Sequence, residues 1–251
     1  MNFSSLLSEA FKKLSPWDSI AETYLGYHKR RYFYLLTLLE TLLCEKLAGQ
    51  SSTLRILDVG PSHQTTLIRL LFPTSVLVTM GYHNPYLPAL ETVEHIQFDV
   101  NHATVESQWP PGQKYDIIIL AEVLEHLYAP PPKVLRMFRS FLEPGGLLLI
   151  QTPNPVSLMK RLLLLKGRSP FEIIRDNSED PGHFCEYTVP DLHYLAQLAN
   201  FEVAQYSVRN YFGRPNWLYD LACHLLPGPL GDGITLVLRR PTTEEPFRVK
   251  C

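Results

Sequence analysis

The sequence predicts an α/β protein built on a mostly parallel sheet with helices on both faces. Three observations predict it. Five short apolar runs follow one another between residues 54 and 152, helical patterns separate several of them, and two strand-like runs come late, after a further helix. Short buried strands alternating with helices require the crossover connections of a parallel sheet, whose faces the helices then cover.

After a polar opening, YFYLLTLLETLLCEKLAG (Tyr32 to Gly49) carries apolar residues at helical spacing and ends in Lys46 and Gly49, which suit a helix stop. The strand candidates are LRILDV (54–59), SVLVTM (75–80), HIQFDV (95–100), YDIIIL (115–120) and GGLLLIQT (145–152). Between them lie the helical patterns TTLIRLLF and PKVLRMFRSFLEP, the second opened by Pro132 and stopped by Pro144-Gly145-Gly146. The stretch from Thr152 to Leu192 is too long for an ordinary strand-to-helix link and is punctuated by Pro and Gly, so it reads as a functional insertion with a helical piece at Val156 to Lys166. VPDLHYLAQLAN (189–200) is expected as a helix, with FEVAQYSVR and GITLVLRR (233–240) as a closing pair of strands. The domain reading is a helical cap at 1–49, one large domain at 50–240 with a lid insertion at about 152–190, and a tail at 241–251.

Bulk properties exclude several classes. A chain of 251 residues with 45% hydrophobic content supports one large core. A net charge of -2 argues against nucleic acid, whose binders carry a basic stripe. Cys44, Cys185, Cys223 and Cys251 are scattered and form no CxxC pair, so no metal ligand set and no disulfide framework is expected, and a reducing cytoplasm fits. The N-terminus lacks a signal pattern, and no window approaches the roughly 18 apolar residues of a membrane span, so a cytoplasmic location is expected. YLGYHKRRYFY (24–34) reads as an amphipathic entry helix with a solvated basic face, the other reading being that Tyr27, His28 or Arg31 closes over a site. The leucines of LMKRLLLLKG read as the packing face of a lid helix, and the flanking Lys160, Arg161, Lys166 and Arg168 keep an interfacial reading alongside.

Three stretches carry a family resemblance. YDIIILAEVLEHL (115–127) resembles the fourth-strand motif of class I S-adenosylmethionine-dependent methyltransferases of the small-molecule type, and LRMFRSFLEPGGLLLIQTPNP resembles their following helix, turn and fifth strand. GHFCEYTVPDL resembles the H-x-R-E-Y-T segment of a bacterial subgroup associated with glycan and secondary-metabolite pathways, with Cys185 in place of the arginine. The resemblance spans residues 50 to 240 and implies a Rossmann-like seven-stranded methyltransferase sheet, mostly parallel with an antiparallel closing strand and helices on both faces.

It also implies S-adenosylmethionine as cofactor, bound beyond the carboxyl ends of the strands. Asp58 and Gly60 match the first loop, where Gly60 lets the backbone approach the cofactor and Asp58 orders the loop or receives its ammonium. Ser62, kept in the cofactor-binding set, and Gln64 stand where the family has its second and third glycines. Asp99 matches the acid that accepts from the adenine amino group, Val100 the residue packed on the ring, and Ala121 and Glu122 the fourth-strand loop. Gly81 or Tyr82 occupies the place of the acid that usually grips the ribose.

The expected activity is methyl transfer to an oxygen, with nitrogen second, of a small-molecule or glycan-like acceptor. His126 and His183 are the candidate bases, Glu122 and Glu186 the residues that orient them, and His183, Glu186 and Tyr187 the acceptor-binding set. Glu122 and His126 share a face if a helix starts there. The rival reading is a non-catalytic methyltransferase-like binding or partner subunit, motivated by Ser62, Gln64 and Gly81; a dinucleotide oxidoreductase lacks its G-x-G-x-x-G. Acceptor identity and oligomeric state are not written in the sequence.

Overall fold

A computed structural model describes residues 2–14, 19–48, 53–82, 92–177, 181–212, 217–225 and 229–243. Gly49, expected to stop the second helix, and most of the expected tail lie outside them.

Two helices, α1 (Phe3–Lys13) and α2 (Ser19–Leu47), precede a seven-stranded sheet. Its strands are β1 (Arg55–Val59), β2 (Val76–Gly81), β3 (Glu94–Gln97), β4 (Tyr115–Ala121), β5 (Leu142–Pro153), β6 (Glu202–Arg209) and β7 (Gly233–Arg239), in the order β3-β2-β1-β4-β5-β7-β6. The pairs from β3 to β5 are parallel, and β7 runs antiparallel to both of its neighbours. This is the expected α/β sheet with one antiparallel closing strand.

Strand side chains alternate between two faces, and the sequence supplies apolar residues for both. Ile56, Ile117, Ile119, Leu147, Leu149 and Val237 face a core made with α1, α2 and α3 (His63–Leu71). Leu57, Ile118, Leu120, Leu148, Ile150 and Leu236 face a second core under α4 (Pro131–Phe141) and α6 (Val189–Leu198). Residues 1–49 therefore contribute Leu7, Tyr32, Leu35, Leu36 and Leu39 directly to the sheet's packing.

Three expectations are corrected. Helix α2 runs unbroken from Ser19, so the entry stretch and the apolar stretch are one element, and its basic face is not all solvated: Arg31 is 1% and His28 8% exposed. Pro144-Gly145-Gly146 does not stop α4, which ends at Phe141; the triplet lies inside β5, where Gly145 takes φ +74° and the register with β4 shifts. The leucines of α5 (Leu158–Leu165) do not form a buried packing face, since the helix buries none of its residues and Leu165 is 84% exposed.

Candidate active site

The loop after β1 is tight. Gly60 takes φ +75° and its N–H donates to the Met80 carbonyl at 2.9 Å. A Cβ at Gly60 would stand 2.8 Å from Val123 Cγ2, so this position needs glycine, and the loops after β1 and β4 touch here. Ser62 caps α3: its hydroxyl accepts from the Gln64 N–H, and the Thr65 hydroxyl accepts from the Ser62 N–H. The fully buried Asp58 carboxylate accepts from Gln64 Nε2 at 2.8 Å and from the Thr65 hydroxyl at 2.6 Å. Of its two expected tasks, Asp58 is thus seen ordering the loop. Burial pushes its carboxyl up to about 7, although both hydrogen bonds favour the charged form.

At the neighbouring strand ends, Asp99 caps the short turn Val100–Thr104, its Oδ1 accepting from the Asn101 N–H at 2.9 Å. Tyr82 meets the Asp99 carboxylate, and with burial this pushes the phenol up to about 12. Val100 is 5% exposed and packs in the second core.

Ala121 ends β4, and Glu122 follows in the left-handed region at φ +56°, an unfavourable conformation for a residue with a Cβ. Its N–H is held by the Gln151 carbonyl at 2.8 Å. The chain then forms a 3-10 turn, Leu124–His126, closed by the His126 N–H on the Val123 carbonyl. Glu122 and His126 therefore do not share a helical face; the left-handed residue prevents an α-helix from starting there.

Around this turn lies a buried polar cluster. Glu125 is 0% exposed; one carboxylate oxygen accepts from the Thr152 hydroxyl, and Oε1 has no hydrogen-bond partner among the described residues. Glu122 Oε1 likewise has no donor, and the two carboxyls meet each other. Burial raises both carboxyls, and the neighbouring Glu122 charge raises Glu125 further. Arg31 reaches both electrostatically, while its Nε donates to His28 Nδ1 at 3.2 Å and its guanidinium lies over the Tyr32 ring. Burial and Arg31 together hold His28 down at about 3.

Glu122 is also part of the wall of a cavity of about 620 Å³, lined in part by Tyr27, His28, His183, Glu186 and Asp232. Tyr27 stacks on Phe212 at 5.6 Å and both rings line it, so α2 supplies part of its wall. The insertion supplies another wall. His183 Nδ1 pairs with Glu186 Oε1 at 3.1 Å, and Lys160 engages the other oxygen of Glu186. Burial would raise Glu186, but these two partners outweigh it and hold the carboxyl below its usual value. His126 Nδ1 donates to the Gly182 carbonyl at 3.0 Å, and the two imidazoles meet edge to face. Burial pushes Asp232 up to about 6 against hydrogen bonds from the Tyr211 and Phe212 N–H groups.

The fold thus brings Glu122, His126, His183 and Glu186 together from segments far apart in sequence. Tyr187 instead packs in the second core at 8% exposed. Sequence reasoning gave no site role to Glu125, Lys160 or Asp232, and it held Arg31 only in the alternative reading of the entry helix. No local signal marked Glu125, since His126 stands between the same two leucines and is only half-buried; Arg31 was hidden in a basic run. No metal ligands were expected, yet Glu125, His126 and His183 present ligand atoms within 4.8 Å of one another.

Comparison with known proteins places this geometry. A family model described as a methyltransferase domain matches residues 27–206, well over half of the chain. A probable S-adenosylmethionine-dependent methyltransferase of Mycolicibacterium smegmatis is 29% identical over 117 residues, 45% of this chain and 40% of that protein. The chain thus spans less than half the length of that curated relative. Among solved structures, a SAM-dependent methyltransferase from Archaeoglobus fulgidus aligns with TM-score 0.52 and 13% identity over 83% of this chain and 99% of its own. Magnesium protoporphyrin IX methyltransferase from Synechocystis PCC 6803, solved with bound SAH, aligns with TM-score 0.50 and 13% identity over 95% of both chains. At such identities these structures speak for the fold.

Proposed function

The chain belongs to the methyltransferase-domain family, with the class I fold of S-adenosylmethionine-dependent methyltransferases, and from that premise we propose that it is an enzyme methylating an oxygen of a small-molecule or glycan-like acceptor. The observation that carries this reading is the position of Glu122. It stands at the carboxyl end of β4, beside Val123, which touches the Gly60 loop, and it also lines the large cavity. Cofactor loop and acceptor cavity meet at one strained residue.

The residues present suit S-adenosylmethionine. Its ammonium and ribose need oxygen acceptors, and Gln64 Oε1 and Glu122 Oε1 are buried acceptors without a hydrogen-bond partner among the described residues. Gly60 and Gly81, both at positive φ, keep side chains out of the space between the strand ends. We assign Gly60, Gln64 and Glu122 to its amino-acid end and Asp99 to its adenine. When bound, the cofactor supplies a methyl group made electrophilic by its sulfonium, the bond to sulfur breaking as the bond to the acceptor oxygen forms.

The chain's own residues position the acceptor and take its proton. His183 faces the cavity, and the Glu186 carboxylate, kept ionised by Lys160, fixes its proton on Nδ1 and leaves Nε2 to accept. His126 is tied to a backbone carbonyl and orients its neighbour's ring. The Tyr27 and Phe212 pair excludes water from one side, and the insertion at 152–190 selects the acceptor.

Calorimetric titration with S-adenosylmethionine and its demethylated product tests the reading. Micromolar binding weakened by Asp99→Ala is expected, followed by turnover in a screen of hydroxylated acceptors. If neither compound binds, the reading is wrong and the chain is a methyltransferase-like binding subunit.

A further inference from the structure

We propose that Glu125, His126 and His183 form a binding site for a divalent first-row transition-metal ion, with Glu122 beside it, at the wall of the acceptor cavity. The three side chains come from two segments: the 3-10 turn after β4 and the end of the insertion. Their ligand atoms already lie within 4.8 Å of one another. Ligands held at ~2.1 Å from one ion stand about 3 to 4 Å apart, so a small contraction completes the set.

The surroundings of each ligand support the assignment. The His126 Nδ1 contact is a backbone carbonyl, which can only accept, so the ring proton sits on Nδ1 and the neutral ring's lone pair on Nε2. His183 Nδ1 faces a carboxylate, with the same consequence. Metal-binding imidazoles are oriented in this way, one nitrogen donating to a carbonyl or carboxylate and the other ligating. Glu125 offers a fully buried carboxyl that accepts from the Thr152 hydroxyl and otherwise meets the Glu122 carboxyl, and two buried acids in contact cost stability unless a proton or a cation lies between them. Its backbone carbonyl accepts from the Phe184 and Cys185 N–H groups, so the contacts that deliver His183 to the turn also hold the turn in shape.

Charge points the same way. Arg31 offsets one of the two carboxylates, Glu122 and Glu125, and a divalent ion offsets the other with charge to spare for an anionic ligand. Two imidazoles and a carboxylate favour Mn²⁺, Fe²⁺, Co²⁺ or Zn²⁺ over Mg²⁺ or Ca²⁺, which take all-oxygen sites. Three protein ligands leave positions open, and because His183 and Glu122 line the cavity, those positions face the acceptor. The role of the ion rests on the methyl-transfer reading and replaces the base assigned there: with His183 Nε2 engaged as a ligand, the ion would hold the acceptor hydroxyl and ease loss of its proton to solvent. The site itself does not rest on that reading.

Full-length protein stripped with a chelator and titrated with Co²⁺ gives a spectroscopic test. The expected result is one equivalent bound at micromolar concentration, with visible d–d bands, no thiolate charge-transfer band, and displacement by Zn²⁺. His183→Gln and Glu125→Gln should each weaken binding about tenfold or more, as loss of a ligand or its support does, while Cys185→Ser should not. Circular dichroism and melting confirm that the variants fold, and calorimetry with S-adenosylmethionine on the same samples keeps the two readings separate. Metal binding without cofactor binding overturns only the methyl-transfer reading. Cofactor binding with no stoichiometric Co²⁺, or Co²⁺ binding that survives His183→Gln and is lost in Cys185→Ser, overturns the metal site.

Discussion

At the end of β1 both oxygens of the buried Asp58 carboxylate have donors from its own loop, whereas at the end of β4 Glu122 and Glu125 each keep a buried oxygen without one among the described residues. The two strands are hydrogen-bonded neighbours, so the sheet offers both acids the same kind of position. The first region spends most of its polar groups on its own shape, through Ser62, Thr65 and the Gln64 amide nitrogen, and leaves Gln64 Oε1 over. The second leaves a carboxylate oxygen over on each acid, and one of the two, Glu122, lines the cavity. Satisfied polar groups mark a frame, and unsatisfied ones on the same edge mark where a ligand is to bind.

The sharpest way to break this contrast is His183→Ala. On the functional reading it lowers kcat by about a hundredfold or more, with cofactor affinity unchanged and folding intact; a smaller loss in steady-state assays would make His183 a wall residue only.

Arg31→Met comes next. It leaves Glu122 and Glu125 without their buried counter-charge, and removing one partner of such a group costs about 3 to 5 kcal/mol. A melting temperature within a few degrees of wild type would show that the acids are not charge-coupled to α2.

Asp58→Asn tests the frame side through pH. The Asp58 carboxyl sits at about 7 in the native protein against an ordinary value of 3.8. Between these values the native state keeps a proton that the unfolded chain has released. Stability from this group is therefore full below pH 4 and is lost as pH rises to 7, by about 1.4 kcal/mol per unit. Wild type should lose stability relative to Asp58→Asn over that window in denaturant titrations and run parallel above it. Parallel curves throughout would mean that the carboxyl is ionised in the fold.

Gly60→Ala places a methyl against Val123 at φ +75° and should cost about 1 to 3 kcal/mol, with weaker cofactor binding that Val123→Ala partly restores. The smallest effect is Ser62→Gly. It restores the family's glycine and removes a cap, which costs only a few tenths of a kcal/mol, so unfolding midpoints should hardly move. A large loss would place Ser62 outside the capping role.

The strands and helices were legible because their signals are local. Runs such as YDIIIL must bury both faces, and the expected order of βα units followed from that. The Pro144-Gly145-Gly146 error has the same origin: the triplet reads locally as a stop, but α4 has already ended at Phe141 and the triplet forms the irregular start of β5, ahead of the regular pairing that begins at Leu147. The site was legible in part. Gly60, Asp58, Asp99 and Glu122 stand at or just past strand ends, at the places the resemblance implies, while Tyr187 packs in the second core because the segment carrying it packs there.

The sequence by itself determined the seven strands, the helices α3, α4 and α6 and the order in which they follow, because period and burial are encoded within a few residues, but not α1, the unbroken run of α2 or the exposed leucines of α5. Only the tertiary structure decided that Arg31 of α2, Glu125 of the β4 turn and His183 of the insertion form one cluster. Their proximity depends on the packing of α2 across one face of the sheet and on the return of the insertion to the end of β4, and no local pattern encodes a distance across the fold.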